Sequence, residues 1–200
     1  MFAPHIYAES LSPNSIPAGF LSAQTVAQRY GVTVWGGEWG FWPDRPADAS
    51  DTIERYAAAE DSYAWGGAWW DWKQACGDPH VVDRPGGEPA AISPSLIRYS
   101  CPEQVAAPVD PAFGDVLSRP VPRAVPGTIT RLVSDGRAGT LDLAGQRDPK
   151  ADGCALRVFV PAGARTRVRT EGIKNLTRQR WQGNVILRGC VHDAFRLRIG

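Results

Sequence analysis

The eleven residues VTVWGGEWGFW, Val32 to Trp42, set one carboxylate, Glu38, among glycines and tryptophans at the end of an apolar run. A carboxylate in such a place can act as a nucleophile when neighbouring hydrogen bonds hold it ionised. Two residues suited to that task stand near the N-terminus. There FAPHIYA carries His5 and Tyr7 two positions apart, so they leave one face of an expected strand together. A third expected strand, AWGGAWWDW, ends in Trp69 and Trp70. Seven of the eight tryptophans lie between Trp35 and Trp72, and flat indole faces match the apolar C–H faces of sugar rings. Carboxylate plus aromatic platform points to carbohydrate. The competing reading of the same residues is a tryptophan-rich core around a structural, hydrogen-bonded Glu38.

These residues need elements to position them. PAGFLSAQTVAQRYG has helical spacing through Phe20, Leu21, Val26 and Tyr30, and Gly31 supplies its stop. ASDTIERYAAAEDSY predicts a second helix with Ser50 or Asp51 as its cap. Strand, helix, strand, helix, strand is the order of a parallel sheet with crossover helices. In a closed parallel barrel the C-terminal strand ends converge on one face, which would gather His5, Tyr7, Glu38 and the tryptophans over one cavity. Residues 73 to 126 hold ten prolines and predict an irregular connection. From residue 127 short β-like pieces follow: GTITRLVSD, AGTLDLAG, CALRVFVPAG, TRVRTEGI, NVILRG and AFRLRIG. They predict a small antiparallel sandwich.

With 43% hydrophobic and 22% charged residues in 200, the chain has the composition of a folded globular protein. It holds no apolar run of the ~18 residues that span a membrane, and its first residues lack the pattern of a signal peptide. The net charge of +1 hides a division at about residue 118. Residues 1–118 carry 6 Lys and Arg against 15 Asp and Glu, whereas 119–200 carry 16 against 6. Two modules are expected, at 1–118 and 119–200. Arg165, Arg167 and Arg169 alternate along one expected strand, either as a solvated face or as a contact with the acidic module or with an anionic surface such as lipid headgroups. Only Trp181 is interleaved near these charges, which argues against nucleic acid. Four cysteines, Cys76, Cys101, Cys154 and Cys190, read as two disulfides and an oxidising compartment, against four buried thiols. Cys76 and His80 lack the second close ligand pair that a metal site would want.

FAPHIY, VWGGEWG and GGAWWDWKQ, in that order and at those spacings, resemble the last three strands of a glycoside hydrolase family 5 barrel. The segment LSRPVPRAVPGTITRLVSDGRAGTLDLAG resembles the junction into the C-terminal sandwich of the endoglycoceramidase-like branch of that family. The resemblance implies an incomplete (β/α)8 TIM barrel, strands six to eight, followed by an antiparallel β-sandwich. It implies a retaining β-glycosidase in which Glu38 is the nucleophile and His5 and Tyr7 orient it and touch the sugar. Trp39 joins the substrate-binding set, and Trp70, or Trp69 after a one-residue slip, carries the sugar. A glycolipid or β-glycan is the implied substrate, with peripheral contact to a membrane surface and no metal or organic cofactor.

Retaining hydrolysis needs a second carboxyl group about 5–5.5 Å from the first. The family carries it in an Asn-Glu-Pro motif after strand four, which this sequence lacks; Glu9, Asp44 and Asp71 are the nearest substitutes. A barrel also needs eight strands in about 250 residues. The chain is therefore expected to be the C-terminal part of a longer secreted enzyme, inactive without the missing N-terminal barrel half. The alternative is a non-catalytic carbohydrate- or surface-binding protein.

Overall fold

The computed structural model describes residues 1–41, 48–71, 96, 99–100, 105–106, 108–109 and 111–200. Cys76, Cys101, His80 and Asp44 lie outside the described residues. The chain divides into two compact units, one of residues 1–60 and 65–114, the other of 61–64 and 115–200.

The first unit is built on parallel pairing. Helix α1, Ile16–Tyr30, is closed at its N-terminus by the Ser15 hydroxyl, which accepts from the Ala18 amide, and at its C-terminus by Gly31 at φ 62°. Ile16, Phe20, Ala23 and Ala27 form its buried stripe. Strand β1, Gly36–Gly40, pairs in parallel with β2, Gly67–Trp70, and helix α2, Ala49–Tyr63, crosses between them. Ser50 and Asp51 fall inside the first turn of α2 and do not cap it; the Asp48 carbonyl accepts from both Asp51 and Thr52 amides. On the other side of β1 the extended N-terminal segment bridges Phe2 to Val34 and His5 to Glu38, both in parallel. The order is therefore N-terminal segment, β1, β2, as the helix and strand periodicities predict. Two residue pairs, β3 (Tyr99–Ser100) and β4 (Val105–Ala106), form a short antiparallel ladder, and α3 covers Pro111–Leu117. The expectation of an irregular connection up to residue 126 gives way at α3 and again at β5.

The second unit is a curled antiparallel sheet. Its strands are β5 (Val121–Ala124), β6 (Gly127–Asp135), β7 (Thr140–Arg147), β8 (Leu156–Val160), β9 (Val168–Trp181) and β10 (Asn184–Ile199). Pro122 is tolerated because β5 lies at the edge of the sheet. The expected pieces NVILRG and AFRLRIG are one strand, β10. Its first part, 185–189, pairs with β8 and its last, 194–199, with β7, while β9 follows it along both parts. Between them the register shifts twice, which lets both long strands turn around one core of Leu132, Leu141, Leu143, Leu156, Val158, Leu187, Val191, Phe195, Leu197 and Ile199. Gly172 and Asn175, both at positive φ, belong to the interior of β9 and do not end it. A two-residue turn, Gln182 and Gly183 at φ 49° and 80°, closes the β9–β10 hairpin. Cys154 and Cys190 form a disulfide across 36 residues.

Candidate active site

Glu38 is held where the N-terminal segment and β1 run side by side. The Ile6 amide donates to the Glu38 carbonyl at 3.1 Å, and the Gly37 amide to that of Pro4 at 2.8 Å. The bridge from His5 to Glu38 sends both side chains to one face of the sheet, and Tyr7, two residues on, leaves the same face. The Tyr7 hydroxyl donates to Glu38 Oε2 at 2.9 Å, and His5 Nδ1 lies 3.1 Å from the same oxygen. Burial, then the hydrogen bond and charge of Glu38, and last the charge of Asp71, raise the Tyr7 phenol well above its ordinary value. It stays protonated and donating throughout the physiological range.

The glycines beside Glu38 serve the backbone, not a ligand. A Cβ on Gly37 would stand 2.9 Å from the Ala3 carbonyl oxygen, and one on Gly40 only 1.7 Å from that of Trp70. Neither strand neighbour could stay in place with a larger residue there.

The tryptophans divide between the two sides of the sheet. Trp39 is 2% exposed, donates its indole N–H to the Ala8 carbonyl and stacks on Tyr56 at 4.1 Å. It is core, so the expectation that Trp39 contacts substrate is corrected: adjacent strand residues face opposite ways, and Glu38 takes the other side. Register pairs Trp39 with Trp69, whose ring meets Trp39, Phe41 and Phe113 edge-on. Trp70 pairs with Gly40 instead, which puts it on the Glu38 face of β2. The peptide bond that follows Trp70 is cis.

The carboxylates considered as substitutes fare differently. Glu9 is engaged, with Oε1 accepting from the Ile16 amide at 3.0 Å and Oε2 paired to Arg55 at 2.7 Å. The Arg55 hydrogen bond and then the Ile16 amide lower its pKa and keep it ionised, so it is a brace at the start of α1 and a poor proton donor. Asp71 is near enough for its charge to act on Tyr7. Among the described residues no group of three or more His, Cys, Asp or Glu side chains could hold a metal ion.

No family model matches the chain, and no curated protein sequence matches it. Solved structures do. A crystal structure of an endogalactoceramidase is 30% identical, with a TM-score of 0.81 over 100% of this chain and 41% of its own length. Endo-glycoceramidase II from Rhodococcus sp., solved as a lactosyl-enzyme intermediate, is 18% identical with a TM-score of 0.64 over 92% of this chain and 37% of that one. Sterylglucosidase 1 of Cryptococcus neoformans shares the fold at 13% identity and a TM-score of 0.58, covering 92% of this chain and 31% of its own. The chain thus matches part of a glycosidase barrel with its following β-rich unit, and spans about two-fifths of the structures it resembles.

Proposed function

We propose that this chain carries the nucleophile side of a retaining β-glycosidase site of the glycoside hydrolase family 5 type, acting on a glycolipid or a β-glycan. The observation that supports it most is the convergence of a phenol O–H and an imidazole nitrogen on one oxygen of Glu38, at 2.9 and 3.1 Å. The two contacts fix which oxygen is engaged, leaving Oε1 to attack the anomeric carbon. The bond from that carbon to the leaving oxygen breaks as the glycosyl ester forms, and water later cleaves the ester. In this reading the proton for the leaving oxygen comes from an acid/base Glu carried by a further part of the barrel. Trp70, on the face of Glu38, is the residue we assign to the sugar platform. Extracellular placement of the whole enzyme agrees with the Cys154–Cys190 disulfide.

The likeness to endo-glycoceramidase II solved with ganglioside GM3 favours glycolipid over glycan in this reading. The test is covalent capture with a 2-deoxy-2-fluoro β-glycoside bearing a dinitrophenolate, which departs without protonation. The barrel completed with its N-terminal half should trap the sugar on the peptide containing Glu38, and Glu38→Gln should trap none. Label on another carboxylate, or hydrolysis by the Gln variant within about tenfold of the original, would remove Glu38 from the role.

A further inference from the structure

We propose that the outer face of β5, β8, β10 and the end of β9 is a docking surface for an anionic lipid bilayer. Arg157 of β8 and Arg188 of β10 stand directly opposite each other in the register. Like charges in that position destabilise a sheet. Arg123 adds a third guanidinium from the bulge of β5. All three are exposed, and none has a carboxylate partner among the described residues. The Arg131, Arg196 and Arg198 side chains elsewhere in this unit share Asp142, whereas these three guanidinium groups stand around an apolar groove.

Between the arginines the surface is apolar. Phe159 and Ile186 pair across β8 and β10, and Trp181, 50% exposed at the end of the hairpin, meets Phe159 edge-on at 6.5 Å. These residues and Gln179 line an open groove of about 260 Å³. A neutral sugar would need carboxylate or amide partners for its hydroxyls, and Gln179 is the one amide in the lining. Free phosphate would use the arginines and leave the three apolar side chains without purpose. A bilayer uses both: guanidinium groups on headgroup phosphates, and an indole at the level where water gives way to acyl chain. The excess of ten positive charges over residues 119–200, 16 against 6, draws this unit toward an extended anionic surface. None of this depends on Glu38.

The test is co-sedimentation of the 200-residue chain with vesicles of phosphatidylcholine, alone or mixed with phosphatidylserine. The chain should bind the mixed vesicles and release them as salt rises. Arg157→Gln with Arg188→Gln should weaken binding roughly thirtyfold, at a factor of about five per arginine near such a surface. Trp181→Ala should weaken it further. Arg165→Gln with Arg167→Gln removes the same charge from elsewhere and should cost much less. Equal binding to neutral vesicles, an unaffected Arg157/Arg188 variant, or equal losses in the two double variants would each overturn the proposal. So would a soluble acidic oligosaccharide that fills the groove while vesicles are not bound.

Discussion

At the scale of single residues, the site rests on one oxygen met by a phenol donor and an imidazole nitrogen. Burial and the Glu38 carboxylate both hold the Tyr7 proton, and burial is the larger cause. With tyrosine labelled at Cζ, Tyr7 should titrate above the ordinary phenol value of about 10. Glu38→Gln should bring it down only part of the way, since the burial remains. A full return to the ordinary value would mean that charge, not burial, governs the phenol. The trio of His5, Tyr7 and Glu38 was legible in the sequence because strand parity needs only counting. The same counting applied to Trp39, one residue from Glu38, sends it to the opposite face. The choice between Trp69 and Trp70 needed the β1–β2 register, which no local pattern contains.

Among elements, β1 and β2 run so close at Gly40 that a methyl group there would overlap the Trp70 carbonyl oxygen. Gly40→Ala should destabilise the first unit by about 2–3 kcal/mol, through separation of the strands. Chemical denaturation would read this; a change below about 0.5 kcal/mol would mean that the strands shift freely. Helix α1 was legible nearly to the residue, because its apolar spacing ends at a glycine that can adopt φ 62°. The long strands were not. Gly172, Asn175 and Gly189 look like turn residues in isolation, yet they sit where β9 and β10 bend. A glycine at a bulge and a glycine at a turn carry the same local signal, and only the partner strand distinguishes them. The face of Arg157 and Arg188 was hidden for the same reason: the two are 31 positions apart in sequence and neighbours only through register.

For the molecule as a whole, the near-neutral total charge conceals carboxylates with opposed pH behaviour. Asp142, held by Arg196 in two hydrogen bonds and by Arg131 in another, is driven far below the usual carboxylate range. Its contribution is present above the unfolded value of about 3.9 and is lost as pH falls through the folded one. Asp61 is raised instead, because burial outweighs the pull of Arg119. Its contribution therefore has the reverse sign, present at low pH and lost as pH rises through its folded value. Asp142→Asn should lower the stability of the second unit by about 1 kcal/mol at pH 7, once solvent screening is allowed for. It should also flatten the loss below about pH 4. Thermal unfolding across pH would show both, and an unchanged acid slope would remove Asp142 as its source. The acidic and basic halves of the chain were legible from composition, whereas the assignment of Asp61–Ala64 to the second unit follows from contacts that no charge count contains.

The β9–β10 hairpin sets how the second unit can fold. A two-residue turn at Gln182 and Gly183 brings neighbouring stretches of chain together, so this pair can zip on the microsecond scale of an isolated hairpin. Strands β7 and β8 then add to different lengths of the same template, β10. Neither can complete its ladder before that strand is in place. The topology predicts a transition state along the hairpin, so substitutions at Leu187 and Leu197 should slow refolding more than those at the edge strands β5 and β6, and equal slowing at the edges would overturn this.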